Sequence, residues 1–352
     1  MEQGVSVVIC TYNGALLLPE TLRHLARQQV RPGIAWEVIV VDNASTDNTQ
    51  AVIEAEWARS GSNTQFRVLY QPKPGLTFAR EMALATAQYE FVLFCDDDNW
   101  LAPNYLTIAY DLMQKHPQIG VLGGRGELVF ESPAPLWARG HGMFANGPQA
   151  ASSGRVKNNV VYGAGSVIRK AAIEAIAQTN FTPLLTDRLG AKLTAGGDYE
   201  LCYTVAMAGY EIWYEDQLRF RHFMPNGRLG WEYTTRLVKE GARSFEVLVP
   251  YRIFLNKGSR NRLSFYFYLS LTAASYAAKW GRAFFNQLAN GNNKEVADFY
   301  KVKTISAHAK LAALAHPQIL YRNFLKIKEF DRYLGRTAVT SKNTATSEPL
   351  YQ

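Results

Sequence analysis

Residues 91–100 read Phe-Val-Leu-Phe-Cys-Asp-Asp-Asp-Asn-Trp. Five apolar residues in succession mark a strand covered on both faces, and such strands belong to parallel sheets sandwiched by helices. The carboxylates Asp96, Asp97 and Asp98 follow at once, with Asn99 behind them. In an open α/β sheet the carboxyl ends of the strands are where ligands bind. Adjacent carboxylates repel unless a positive charge lies between them. A divalent cation meets that need, and Mg²⁺ or Mn²⁺ takes one or two carboxylates completed by substrate phosphates. The competing interpretation is a solvated acidic turn ahead of a helix that starts near Pro103.

Upstream the same pattern recurs. Residues 5–10, Val-Ser-Val-Val-Ile-Cys, predict a short buried strand that runs into the polar turn Thr11-Tyr12-Asn13-Gly14. A helix over residues 19–29 opens on a proline, where the missing N–H is harmless. Residues 37–41 predict a second buried strand ending in Asp42-Asn43-Ala44-Ser45-Thr46-Asp47. A helix, a strand near residues 66–70 and a helix near residues 77–88 lead to the strand with the aspartates. Strands alternating with helices at this spacing predict a doubly wound, mostly parallel sheet.

Three strands thus deliver polar clusters to one edge: Thr11, Tyr12 and Asn13; Asp42, Asn43 and Ser45; and Asp96 to Asn99. A nucleotide lying across them would place a base N–H on Asp42 and its phosphates by a metal at Asp96 or Asp98. The intervening Lys73-Pro74-Gly75-Leu76-Thr77-Phe78-Ala79-Arg80 is a glycine turn feeding a helix. Helix N-termini and arginine both suit phosphate. No Gly-x-Gly-x-x-Gly follows the first strand and no Gly-Lys-Thr loop occurs, which disfavours a dinucleotide dehydrogenase or a P-loop enzyme.

Taken together, residues 5–14, the string Val-Ile-Val-Val-Asp-Asn-Ala-Ser-Thr-Asp-Asn-Thr, Gly75 through Arg80 and Phe-Cys-Asp-Asp-Asp resemble the family 2 glycosyltransferases of the GT-A fold, over about residues 4–235. The resemblance implies a Mn²⁺- or Mg²⁺-dependent transferase that uses a UDP-, GDP- or dTDP-sugar and inverts the anomeric centre. The family's Asp-x-Asp falls on Asp96-Asp97-Asp98, which implies Asp98 as direct metal ligand, Asp96 near ribose and metal, and Asp97 at the donor site but pointing away. The base contact falls on Asp42 and the first-strand nucleotide contacts on Thr11, Tyr12 and Asn13.

Gly196-Gly197-Asp198-Tyr199-Glu200 opens an amphipathic helix to about residue 208, so Asp198 reads locally as an N-cap. The resemblance makes Asp198 the general base, with Gly197 standing where the family commonly has a glutamate. An acceptor hydroxyl must lose a proton as it attacks, and a positioned carboxylate takes it. Glu200 is the second candidate base, otherwise a solvent-facing helix residue. A strand over residues 211–215 precedes Arg219-Phe220-Arg221-His222-Phe223, and His222 matches a family histidine that in some members touches metal or diphosphate. Arg228 would then reach a phosphate and Trp231 would cover the acceptor sugar. Residues 124–159, with Trp137, Arg139, His141 and Phe144 among Gly, Pro and Ser, predict a long acceptor-side loop, and residues 160–168 an extended segment with small residues at its centre.

The chain has 352 residues, 47% hydrophobic and 19% charged, which predicts a globular protein. Cys10, Cys95 and Cys202 lack metal-type spacing and read as reduced core thiols of a cytosolic protein. Met1 runs directly into a strand pattern, so no signal peptide is expected. From Arg252 onward there are 16 Lys and Arg against 5 Asp and Glu. Such a tail implies an anionic partner. Residues 263–285 are apolar almost all round, flanked by Arg260, Arg262, Lys279 and Arg282, and no window reaches the length of a spanning helix. This segment either packs buried against the catalytic domain or makes a peripheral contact with an anionic membrane surface rather than nucleic acid, useful for a glycan or lipid-linked acceptor. The expected organisation is a catalytic domain over residues 1–235, with its nucleotide-sugar half ending near residue 100, a basic helical extension over 236–340 and a disordered tail over 341–352. The rivals are a nucleotidyltransferase of similar fold and a non-catalytic membrane- or nucleic-acid-binding protein.

Overall fold

A computed structural model describes residues 2–139, 144–179, 181–185 and 195–345. Its strands are β1 (Glu2–Thr11), β2 (Trp36–Asp42), β3 (Gln65–Tyr70), β4 (Tyr89–Phe94), β5 (Asn99–Leu101), β6 (Ile119–Phe130), β7 (Gly154–Arg155), β8 (Val167–Arg169) and β9 (Glu211–Met224). The helices are α1 (Leu18–Ala26), α2 (Thr49–Ser60), α3 (Leu76–Thr86), α4 (Tyr105–Lys115), α5 (Leu136–Arg139), α6 (Lys170–Ala177), α7 (Gly197–Met207), α8 (Trp231–Ala242), α9 (Phe245–Asn256), α10 (Arg262–Ala289), α11 (Lys294–Leu314) and α12 (Pro317–Ala345).

All the strands join one sheet in the order β3-β2-β1-β4-β8-β6-β9-β5, with β7 added on β9. β1 lies parallel between β2 and β4, and β2 is parallel to β3. Since β2 and β3 build away from β1 on one side and β4 on the other, the order reverses between β1 and β4. A crevice opens at the carboxyl ends of two strands at such a reversal. β8 is antiparallel to both β4 and β6, so the sheet is mixed beyond β4.

The apolar runs divide their side chains between two cores, as a period of two requires. Val5, Val7, Ile9, Val38, Val40, Phe91 and Leu93 face α1, α2 and α4, where Leu22, Trp57 and Leu106 meet them. Val8, Ile39, Val41, Val92 and Phe94 face α3, α6 and α7, through Ala79, Ala172 and Val205. Each such buried side chain stabilises the fold by roughly 1.5–3 kcal/mol, and none of the strands could stand with one face in water. α9, α10 and α12 build a third core that takes in Tyr203 of α7. Cys95 and Cys202 are buried and Cys10 half-buried, all as free thiols.

Several elements differ from the sequence expectation. The stretch expected as a loop after Gly124 continues β6 to Phe130 and also holds α5 and β7; His141 lies outside the described residues. Of residues 160–168, expected to be extended, only Val167 and Ile168 lie in a strand, β8. β9 runs to Met224, because Leu218, Phe220, His222 and Met224 alternate inward against outward Arg219 and Arg221. α12 includes residues 341–345, and residues 346–352 lie outside the described ones. Among the described residues no helix is long and apolar enough to cross a membrane.

Candidate active site

The turns at the carboxyl ends of β1 and β2 brace one another. Thr11 sits opposite Asp42 in the β1–β2 register, and the Asn43 N–H donates to the Thr11 carbonyl (2.8 Å). Asn13 accepts at Oδ1 from the Thr46 N–H (2.8 Å), while its own N–H donates to Ser45 Oγ (2.9 Å). Asp42, 5% exposed, accepts at Oδ1 from the Ser45 N–H (3.0 Å). The expected nucleotide contacts Asn13 and Ser45 thus also hold the rim itself, whereas Tyr12 is 54% exposed. Asn43 is a clamp: Nδ2 donates to the carbonyls of Gln71 and Lys73, and Oδ1 accepts from the Gly75 N–H (2.7 Å). Gly75 has φ +136°, a conformation that favours glycine, and it directs the chain into α3 and Arg80.

The aspartates after β4 divide their roles. Asp97 does not point away: its Oδ2 accepts from Thr11 Oγ1 (2.7 Å) and its carbonyl from Thr21 Oγ1 (2.7 Å), locking the acidic turn to β1 and α1. Thr11 is accordingly committed to Asp97 and only 3% exposed. Burial, followed by the neighbouring charge of Asp98, raises the Asp97 pKa. Asp98 is 2% exposed and its Oδ2 is paired with Arg228 Nη1, with His222 Nε2 at 3.5 Å. Burial alone would raise the Asp98 pKa, but the His222 and Arg228 charges outweigh it and hold the carboxyl well below the usual range. Its Oδ1 is buried without a partner.

His222 reaches this carboxylate because β5 pairs with β9 in a register that sets Asn99 opposite His222, and the Phe223 N–H donates to the Asp98 carbonyl (2.8 Å). His222 Nδ1 bonds the Phe144 carbonyl. A carbonyl can only accept, so Nδ1 carries the proton and Nε2 is turned to Asp98, the arrangement that presents an imidazole to a metal. Burial disfavours the imidazolium, and Asp98 more than offsets it, so the His222 pKa is raised. Arg228, expected on a phosphate, instead sits on Asp98. Trp231 packs edge-on against Trp137 (6.0 Å) with Lys301 Nζ 4.9 Å from its ring.

Asp198 stands at the second position of α7 rather than at its N-cap, which is Gly196. Its Oδ2 accepts from the Gly163 N–H (2.8 Å) and Oδ1 from the Tyr199 N–H (2.9 Å). Two residues on, the Gly165 N–H donates to the Phe94 carbonyl and the Phe94 N–H to the Ser166 carbonyl, both 2.9 Å. This loop carries Asp198 to the rim where β4 releases Asp96. Arg80 approaches the same loop: a methyl at Gly163 would lie 3.0 Å from Asp198 Cβ and 3.6 Å from an Arg80 nitrogen. The Arg80, Asp96 and Asp97 charges also all act on Cys10 at the end of β1.

Glu200 is not solvent-facing. It is 1% exposed and accepts from the Leu184 and Leu185 N–H groups (2.8 and 2.7 Å) and from Tyr251 Oη (3.1 Å), a structural role incompatible with reaching a substrate. Thr21, Phe144 and Gly163 complete the site and carried no motif. Only the small residues around Gly163 hinted at a close approach.

The partnerless Asp98 Oδ1 and the oriented His222 Nε2 fit Mn²⁺ or Mg²⁺, with Asp96 as a further oxygen donor. Among the described residues no group of three or more His, Cys, Asp or Glu forms a metal cage by itself, so phosphate oxygens would have to complete the shell.

A reversal crevice edged by carboxylates, a histidine and a glycine-turn helix, on a mostly parallel sheet flanked by helices, defines an α/β fold of the GT-A type. Residues 6–176 match the family model of glycosyl transferase family 2. A segment is 33% identical over 138 residues to the poly(ribitol-phosphate) beta-N-acetylglucosaminyltransferase TarS of Staphylococcus aureus, covering 37% of this chain and 24% of that one. Another is 29% identical over 124 residues to glycosyltransferase GlyG of Streptococcus pneumoniae, covering 35% and 39%. The matched segments therefore span well under half the length of these relatives. In fold the chain is similar to a mannosyltransferase from Pyrobaculum calidifontis solved with GDP-Man and Mn²⁺ (TM-score 0.54, 20% identity, 99% of this chain and 89% of that one).

Proposed function

We propose that the protein transfers a sugar from a nucleotide-sugar donor to an acceptor hydroxyl with inversion at the anomeric carbon. The observation that carries this reading is the pairing at one rim of a cationic and acidic pole (Asp98, His222, Arg228) with a separately held carboxylate, Asp198.

In this reading Asp42 accepts from the base of the donor, Tyr12 and the rim turns flank the nucleoside, and Gly75 and Arg80 face the diphosphate. Asp96, Asp98 and His222 would hold Mn²⁺ or Mg²⁺. When bound, the ion neutralises charge on the departing diphosphate. Asp198, oriented by its two N–H bonds, takes the proton of the acceptor hydroxyl as that oxygen attacks from the face opposite the leaving group. No covalent intermediate is required. Arg228 leaves Asp98 for the phosphates as the donor settles.

The acceptor in this reading is a glycan or lipid-linked saccharide met at an anionic membrane surface. The outward face of α10 supports that location. Leu263, Phe267, Leu271, Phe285 and Leu288 are each more than half exposed, and no Asp or Glu occurs between Arg262 and Ala289. Apolar side chains with basic neighbours suit an element lying among lipid headgroups.

The test is a screen of UDP-, GDP- and dTDP-sugars with Mn²⁺ for nucleoside diphosphate release, run beside Asp198→Asn. Release from at least one donor, with transfer but not donor binding lost in the variant, is expected; no release from any donor would end the proposal.

A further inference from the structure

Three cations from three helices of the extension meet over two aromatic rings. Arg252 Cζ of α9 lies 5.6 Å and Lys310 Nζ of α11 5.2 Å from the centre of the Phe245 ring. Lys279 Nζ of α10 lies 4.6 Å and Lys310 Nζ 6.0 Å from the centre of Tyr276. The two rings meet edge to face at 5.3 Å. Arg252 Nε donates to Tyr203 Oη (3.1 Å), which fixes the guanidinium. Among the described residues none of the three is in an ion pair with a carboxylate.

This arrangement runs against folding. Lys279 is exposed and Arg252 and Lys310 are half-buried; like charges brought together there repel, and ring faces offset only part of that. Burial first, then Arg252 and Lys279, lower the Lys310 pKa. A surface Lys could turn outward to solvent, yet Lys310 stays half-buried between the rings. A cluster of this kind is completed by an oxyanion, which accepts from a guanidinium fork and two ammonium groups at once.

Its position indicates which molecule brings the anion. Tyr203 lies on α7, the helix that begins with Asp198, and the Arg252 charge is felt at Tyr199, the residue next to Asp198. The cluster therefore lies along α7 from the candidate base and apart from the β1, β2 and β4 ends that would hold the donor.

We propose that Arg252, Lys279 and Lys310 form an oxyanion subsite that grips a phosphate-bearing group of the acceptor while its hydroxyl lies at Asp198. The word acceptor rests on the glycosyl-transfer reading; anion binding at the cluster does not. A phosphate diester of a polymer and a phosphorylated lipid headgroup present the same chemistry here.

The experiment measures binding of inorganic pyrophosphate to the full chain by calorimetry in EDTA, which removes metal bridging at the Asp98 pole. Lys310→Gln and Lys279→Gln are each expected to weaken binding about tenfold. Lys310→Arg should retain it, and Lys115→Gln, on α4 in the opposite layer, should leave it unchanged. The same variants are then floated with phosphatidylglycerol or phosphatidylcholine vesicles. Loss with pyrophosphate alone assigns a free or polymer-borne phosphate, and parallel loss on phosphatidylglycerol assigns a lipid-borne one. Unchanged pyrophosphate affinity in both Gln variants overturns the subsite. Nucleoside diphosphate release by the unaltered chain, measured alongside, bears on the transferase reading alone.

Discussion

Gly163→Ala probes the candidate base without removing it. The added methyl would stand 3.0 Å from Asp198 Cβ and 3.6 Å from both Asp198 Oδ2 and an Arg80 nitrogen. Carbon atoms prefer about 3.5–4.0 Å, so the Asp198 side chain must retreat by several tenths of an ångström. The Gly163 N–H bond to Oδ2, now 2.8 Å, lengthens with it. Gly163 is not among the positive-φ residues, so alanine meets no backbone penalty there. Misplacing a catalytic group by about 1 Å costs roughly a hundredfold in rate. A shift of a few tenths then predicts a kcat roughly ten- to hundredfold lower, against 10²–10⁴ for general-base loss in Asp198→Asn. Donor affinity, read by calorimetry with the nucleoside diphosphate, should stay within about threefold, since the added methyl touches Arg80 only at ordinary van der Waals distance. Transfer is followed by nucleoside diphosphate release over a donor and acceptor series. An Ala variant with unaltered kcat would show that Asp198 need not be held where Gly163 holds it, and the base assignment would go with it.

Four further outcomes follow from the same contacts. Asp98→Ala should abolish turnover and Mn²⁺ binding, read by the spin-resonance signal of free Mn²⁺. It should also lower stability by roughly 3 kcal/mol in urea, because buried His222 and half-buried Arg228 are left without their counter-charge. Glu200→Ala should destabilise by roughly 3 kcal/mol or more through three lost hydrogen bonds while donor binding persists; retained stability with lost chemistry would instead mark Glu200 as a reactive group. Lys310→Met should stabilise the fold near neutral pH. Because the folded-state pKa of Lys310 is depressed, the penalty it removes is full below that value and gone above the ordinary 10.5, so the gain in melting temperature should shrink as pH rises through that window. Phe267→Ser with Phe285→Ser should cut flotation with phosphatidylglycerol vesicles roughly tenfold or more, and equal flotation would remove α10 from the membrane.

β1, β2 and β4 were legible because they are buried on both faces, so apolar runs and the polar turns that end them mark each strand end directly. The same rule failed for β9. Past Glu215 that strand alternates arginine with inward Phe220 and His222, and the charged half of the alternation obscured its continuation. Side-chain commitments were less visible still. Nothing in the string Thr-Tyr-Asn-Gly tells that the Thr11 hydroxyl is engaged by Asp97, 86 positions away. Glu200 read as solvent-facing because carboxylates are seldom fully buried; the backbone N–H groups of Leu184 and Leu185 that satisfy it leave no mark on composition. Arg228 was read toward phosphate from the family resemblance of the segment after His222, and only the β5–β9 register reveals that Asp98 is within its reach.

The third core has a bearing on how this enzyme can be cut down or inherited. Tyr203 stacks on Tyr251 at 5.4 Å, and Glu200 is bound by that same tyrosine 51 positions downstream. The helix that carries Asp198 is therefore braced by α9, and both lie beyond the matched residues 6–176. A fragment trimmed to residues 6–176 would lose Asp198 itself, along with the His222 and Arg228 partners of Asp98. Exchange of C-terminal extensions between relatives would then disturb the setting of Asp198 through α7.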